Sequence, residues 1–438
     1  MSYDLMLGVA SRPITPPVGG YLYGYPSPPR STSVHDDLTV TALYLQEGET
    51  RALLLSFTIC SLATALCTRL SEILEAETGV PRSAMILHAT HTHSGPSTTN
   101  SVGWGSADSD YIDRILIPAA CEAAREAVAA PVPARLAIAT GECLLGINRR
   151  QLVDGHAVLG QRPGGIQDTT MTVLGFFSPE DKPLATAVHY AAHCTASGKN
   201  TEITRDWAGV MIDALAAASG APVLFLQGPE GDIGPRMPSG KTIGEASVED
   251  AMRMGRIAAE DATRIYATLG RAEAQPLTVS RTVLSLPLEA RPSREEAEAA
   301  IARYEGFTAG VEAKTADYYR RVLASYDGGY TERESLPIEQ TVIRLGEVAL
   351  VSFPYELFSE IGIAVKRGSP FAHTLPLALA GGAECYFVTE SEIPYGGYEV
   401  DMFRLGNVQR FPCDASRTLA ELTLAHLDVM KIKLDISE

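Results

Sequence analysis

Continuous apolar runs that stop on polar loops marked by glycine and proline recur along this chain. They restrict it to a fold with buried strands. The run Ala84-Met85-Ile86-Leu87 empties into His88-Ala89-Thr90-His91-Thr92-His93-Ser94-Gly95-Pro96, so three of the nine histidines fall within six residues. A second run, 184–192, ends on His193. A third, 340–353, turns at Gly346 and ends Pro354-Tyr355-Glu356. A fourth, 222–227, runs into Gly228-Pro229-Glu230-Gly231-Asp232-Ile233-Gly234-Pro235. In an α/β protein the loops at strand ends are where ligands sit.

Between the strands the 3.6-residue spacing predicts helices over 61–77, 108–129, 206–218, 248–268 and 415–430. Further strands are expected at 134–140, 171–177 and 277–289. The charged stretch 293–325 reads as two helices broken near Gly306 or Gly310, a solvated excursion. Residues 389–410 read as a loop, and no repeats are evident. The fold class is therefore α/β, with layered mixed sheets flanked by helices. One unit over 1–438 is the simplest organisation.

Composition narrows the function. A net charge of −17 argues against nucleic acid and anionic membranes as partners. The N-terminus lacks the basic and apolar regions of a signal peptide, and no apolar run is long enough to span a membrane. Seven cysteines without a C-x-x-C pair suit free thiols in a cytoplasmic setting. A homo-oligomer is allowed but not indicated.

If strand pairing continues past Ala89, His91 and His93 leave on one face, where one binds a metal while the other binds or handles protons. Two neutral imidazoles and a carboxylate with one position open form the usual catalytic zinc shell. His91, His193 and Glu356 offer that set. Other chemistries score worse, since G-x-S-x-G, H-E-x-x-H and the phosphate-loop Lys-Ser/Thr are absent. Glu230 and Asp232 are candidates for supporting the site from behind. Cys194, beside His193, reads as a buried structural thiol.

Several stretches, in order, resemble the neutral (alkaline, non-lysosomal) ceramidase family. They are Leu7–Pro17 with Gly24-Tyr25, T-H-T-H-S-G-P at 90–96, Asn148-Arg149, and Val188–Thr195 with Asp206. Leu226–Pro235, Pro354-Tyr355-Glu356, Tyr386–Thr389 and Tyr398-Glu399 follow. The resemblance implies a catalytic domain of that fold and a zinc amidase acting through zinc-bound water. It assigns the Zn2+ to His91, His193, Glu356 and Tyr386. His93 would be the general base and acid, with Arg149 and Tyr398 facing the substrate carbonyl. Three departures stand out: Gly234 where the family has serine, Cys194 where it has proline, and no room for the family's C-terminal β-sandwich. They turn the expected substrate from ceramide toward a small soluble amide, an N-acyl compound or a lactam. A metal-dependent esterase and a non-catalytic ligand-binding protein are the alternatives.

Overall fold

The computed structural model describes residues 5–238 and 245–435. Residues 1–4, 239–244 and 436–438 lie outside the described residues. The rest is a mixed α/β architecture, as expected.

Among the described residues, three sheets have four or five strands, and they share one plan. In the first, Met6–Pro13, Thr39–Glu47 and Thr50–Phe57 pair antiparallel in succession. The helix Thr64–Thr78 then crosses over to Met85–Ala89, which lies parallel to Thr50–Phe57. In the second, Arg135–Glu142, Thr170–Phe177 and Pro183–Tyr190 are antiparallel, and Asp206–Ser219 crosses to the parallel Val223–Gln227. In the third, Leu277–Pro287, Ser335–Leu345 and Val348–Ser352 are antiparallel, and Ser359–Gly368 crosses to the parallel His373–Leu377. Long helices, Ile117–Ala129, Val248–Tyr266 and Ala415–Asp435, follow the three units. The repeat is architectural. It shares a burial pattern and not side-chain identities, which is why the sequence shows none.

Leucines and valines from all three sheets meet in one core, including Leu43, Leu54, Leu174, Leu224, Leu350 and Leu375. Fully burying each such side chain is worth about 1.5–3 kcal/mol. The opposite face of each sheet packs on its own helices, as Leu70, Trp207 and Ile361 do. These strands are buried on both faces, so they read as unbroken apolar runs.

Strand direction decides where the site forms. In each unit the third strand is antiparallel to the second and hence parallel to the first; the fourth is parallel to the third. The C-terminal ends of the first, third and fourth strands therefore lie at one end of the sheet. The hairpins joining second to third strands, such as Glu47 to Thr50, lie at the other. The loops after Ala89, Tyr190 and Ser352 all open on the functional end.

Hydrogen bonds bind the three crossover strands together there. The main-chain N–H of Gln227 donates to His88 Nε2 at 2.8 Å. Ala378 N–H donates to the Gln227 carbonyl at 3.1 Å, and Ala89 N–H to that of Leu379 at 3.2 Å. Burial pushes His88 down to about 3, so the ring stays a neutral acceptor.

Several local expectations differ from the structure. The histidine strand stops at Ala89. The 389–410 segment is not all loop, because Tyr398–Arg404 is helical. Strands Gly146–Asn148, Arg150–Val153 and His156–Leu159 do not stand out in the sequence, being only three or four residues long. The excursion does form two helices as expected, Arg294–Tyr304 and Gly310–Asp327, with the break between them at 305–309. No helix among the described residues is long and apolar enough to cross a membrane.

His88→Leu keeps the volume but orphans the buried N–H of Gln227. It is expected to cost about 1–3 kcal/mol, read as a lower urea midpoint at an unchanged slope. An unchanged midpoint contradicts this account of the junction.

Candidate metal centre

His91 and His93 meet, but not by strand alternation. The chain leaves the sheet at Ala89, and His91 takes a left-handed backbone, φ 71°. A β strand would have sent both side chains off one face in parallel. Here the loop turns the rings toward each other, with their Nε2 atoms 3.2 Å apart. His193 comes from the loop after Pro183–Tyr190, and Glu356 from the loop after Val348–Ser352.

His91 Nε2 lies 3.3 Å from Glu356 Oε2, and His193 Nε2 lies 3.2 Å from the same oxygen. The other ring nitrogens are committed. His91 Nδ1 is 2.8 Å from the Cys60 carbonyl. His193 Nδ1 is 2.9 Å from the Glu230 carbonyl and 3.0 Å from that of Ile233. A carbonyl only accepts, so both Nδ1 atoms carry the proton and both Nε2 atoms present lone pairs. Two lone pairs and a carboxylate oxygen thus converge with no hydrogen between them. Such a cluster could hold a metal ion. A second grouping, Cys60, His91 and His93, also has ligand atoms close together. There the Cys60 sulfur faces His91 Nδ1 at 3.6 Å, a nitrogen that already donates to the Cys60 carbonyl.

Electrostatics agree. Burial first, then Arg149, pushes His193 down to about 3, so it stays neutral. Burial opposes charge on His91, but the Cys60 sulfur and Glu356 outweigh it and raise the ring well above its ordinary value. Burial also opposes charge on Glu356, yet His91 holds the carboxyl well below its usual range. Without a metal, a proton on His91 takes the cation's place. His93 is held well below 6.5 by burial and by the other two imidazoles, and stays neutral.

Tyr386 pairs in register with Glu356 across a short parallel ladder, so their side chains leave the same face. Its hydroxyl accepts from Arg149 Nη2 at 3.1 Å and lies 3.5 Å from the Tyr398 hydroxyl. Burial and then Glu356 hold this phenol well above its ordinary value. A cation in the cluster would cancel the Glu356 charge and ease its ionisation. Arg149 is buried, donates to the Gly231 carbonyl at 2.9 Å and lies 3.5 Å from Glu399. All seven residues expected at the site therefore lie in one connected cluster, and His91, His93, Glu356 and Tyr386 line a cavity beside it.

The supporting groups were only partly foreseen. Asp232 accepts from Asn148 Nδ2 at 3.1 Å and from Ser359 N at 2.6 Å, so it fixes the loop that carries Arg149. Glu230 supports His193 through its main-chain oxygen; its buried carboxyl has no partner among the described residues. Asp206 caps the turn after His193, accepting from Ala196 N and Ser197 N. Cys194 is a buried core thiol.

Arg150 was missed. It is wholly buried, and donates to Glu392 at 2.9 Å, Glu399 at 2.7 Å and the Gly396 carbonyl at 2.6 Å. These bonds pin the segment that presents Tyr398. The sequence signal was present in the two acidic residues flanking Gly396-Gly397, though nothing in the spacing pairs them with Arg150.

Two glycines permit close approach. A Cβ on Gly24, φ 125°, would sit 2.3 Å from the His93 ring. A Cβ on Gly231 would sit 2.6 Å from the Glu356 carbonyl oxygen, against which this loop packs. Gly234 differs: a Cβ there meets Arg149 at an ordinary 3.4 Å, so a serine would fit.

Zinc titration at pH 7 should release about one proton per ion, from His91, read by calorimetry in buffers of different ionisation enthalpy. Affinity should fall as pH falls, and His193→Ala should lose the ion. Binding without proton release, or undiminished in the variant, contradicts the cluster.

No family model matches the sequence, and no curated protein matches it. Solved structures do. The neutral ceramidase from Pseudomonas aeruginosa superposes with a TM-score of 0.76 at 16% identity, over 99% of this chain and 75% of that one. A ceramidase complexed with C2 gives 0.72 at 16% identity, over 99% and 76%. The likeness spans all three sheets, and the protein has a ceramidase-like fold.

Proposed function

We propose that the protein is a zinc-dependent hydrolase of a carbon–nitrogen amide bond in a small molecule. The observation that carries this reading is the convergence of His91 Nε2, His193 Nε2 and Glu356 Oε2, with His93 beside them. The ceramidase-like fold supports the choice of an amide bond.

His91, His193, Glu356 and Tyr386 would hold the ion. When bound, it supplies Lewis acidity to a carbonyl and a water-derived nucleophile at neutral pH. The chain's own groups supply the rest. His93 is neutral and buried beside the cluster. It accepts the proton that water gives up on attack and returns it to the leaving nitrogen as the C–N bond breaks. Arg149 and Tyr398 donate to the carbonyl oxygen while negative charge grows on it. Their rigidity is built in, through Arg150 and Glu399. None of these roles uses a hydroxyl at position 234, so Gly234 is compatible with the chemistry.

The test is amine release from a panel of N-acyl amides and lactams by zinc-loaded protein. Chelation should abolish it and zinc restore it. His93→Gln should keep its zinc but lose roughly 10²–10⁴ in kcat. Activity in metal-free protein, or a fully active His93→Gln, contradicts the reading. Zinc bound with no amine released from any panel member turns it toward a ligand-binding protein.

A further inference from the structure

The cavity over the metal cluster has a volume of about 150 Å³. That is below the range of about 300–1,000 Å³ for drug-sized ligands. That volume suits a small molecule. The wall is unsuited to a lipid, since Asn100, Ser101 and Lys314 share it with Leu379 and Met402.

Lys314 comes from the helix Gly310–Asp327, part of the excursion inserted between the first two strands of the third sheet. It is half-buried and lines the same cavity as His91, His93 and Glu356. Lysine heads in acidic proteins usually find a carboxylate. This one has no hydrogen bond or ion pair within 4 Å among the described residues. Trp104 lines the same cavity, and its indole N–H is buried with no hydrogen-bond partner among the described residues. Both groups are donors only. Glu384, on the rim, is engaged by Thr64 Oγ1. With a divalent cation against Glu356, and the Glu384 carboxylate counted, Lys314 leaves the cavity with a single excess positive charge.

We propose that Lys314, with Trp104, is the specificity-determining group for a carboxylate carried by the substrate, which makes the substrate class a short N-acyl amino acid or a comparably small anionic amide. This deepens the hydrolase reading and rests on it for the cavity being the place where substrate sits. An ammonium and a neutral N–H together suit a carboxylate, whose charged hydrogen bonds are about twice as strong as neutral ones.

The test compares two probes that differ only in the anionic group, N-acetylglycine and N-acetylglycinamide. Their affinities for zinc-loaded protein are read by calorimetry, for the native chain and for Lys314→Met. The native protein should bind the carboxylate about tenfold tighter than the carboxamide, and Lys314→Met should bind the two alike. Equal affinity in the native protein overturns the inference. So does a preference that survives in Lys314→Met, which would place the carboxylate on the metal. The same pair measured on metal-free protein separates the two readings. A Lys314-dependent preference there, with no amide hydrolysed by the zinc-loaded protein, would sink the hydrolase and keep the anion site.

Discussion

Everything at the functional end of this protein depends on three acceptor atoms held within about hydrogen-bonding distance with no hydrogen to share. His91 and His193 each spend their Nδ1 proton on a main-chain carbonyl, so each turns a lone pair toward Glu356. Burial makes this arrangement costly without a positive charge between the groups. A metal ion, or failing that a proton on His91, resolves the conflict. The main-chain carbonyls that fix the tautomers therefore matter as much as the rings. They come from the loop after Thr50–Phe57 and the loop after Val223–Gln227, which the sheets place at the same end.

Topology explains how distant sequence segments reach one point. Each unit is an antiparallel trio followed by a helical crossover to a parallel strand. Chain reversal alone then sends three loops per unit to one end. The loops after the first strands carry Gly24, Arg149 and Lys314. Those after the third carry Cys60, His193 and Glu356. Those after the crossover strands carry His91 and His93, then the Glu230–Asp232 turn, then Tyr386 and Tyr398. Three units contribute to three kinds of position around the metal cluster, and residues of the first and third line the cavity beside it.

Much of this was legible in the sequence, and the limits are physical. Strands buried on both faces announce themselves as apolar runs, so Met85–Ala89, Pro183–Tyr190 and Val348–Ser352 could be read directly. Histidine and glutamate just past those runs marked the metal cluster. Tyr386, Arg149 and Tyr398 came only from the resemblance to ceramidases, because a buried tyrosine and a surface one look alike in sequence. Arg150 went unseen because its partners, Glu392 and Glu399, are more than two hundred residues away along the chain. The helix Tyr398–Arg404 was taken for loop because it is two turns long and follows Gly396-Gly397, a turn signal. Lys314 sits in a charged helix that reads as a solvated face, and only its place in the cavity wall distinguishes it. The positive φ of His91 could not be foreseen either, since it is imposed by the loop's attachments.

The most direct measurement is zinc-edge X-ray absorption on protein purified with its native metal content. The account predicts about one zinc per chain surrounded only by nitrogen and oxygen, with the multiple-scattering signature of two imidazoles. A sulfur neighbour at about 2.3 Å would place the ion on Cys60 and His93 and contradict the assignment, and protein devoid of metal that also refuses added zinc would remove its foundation.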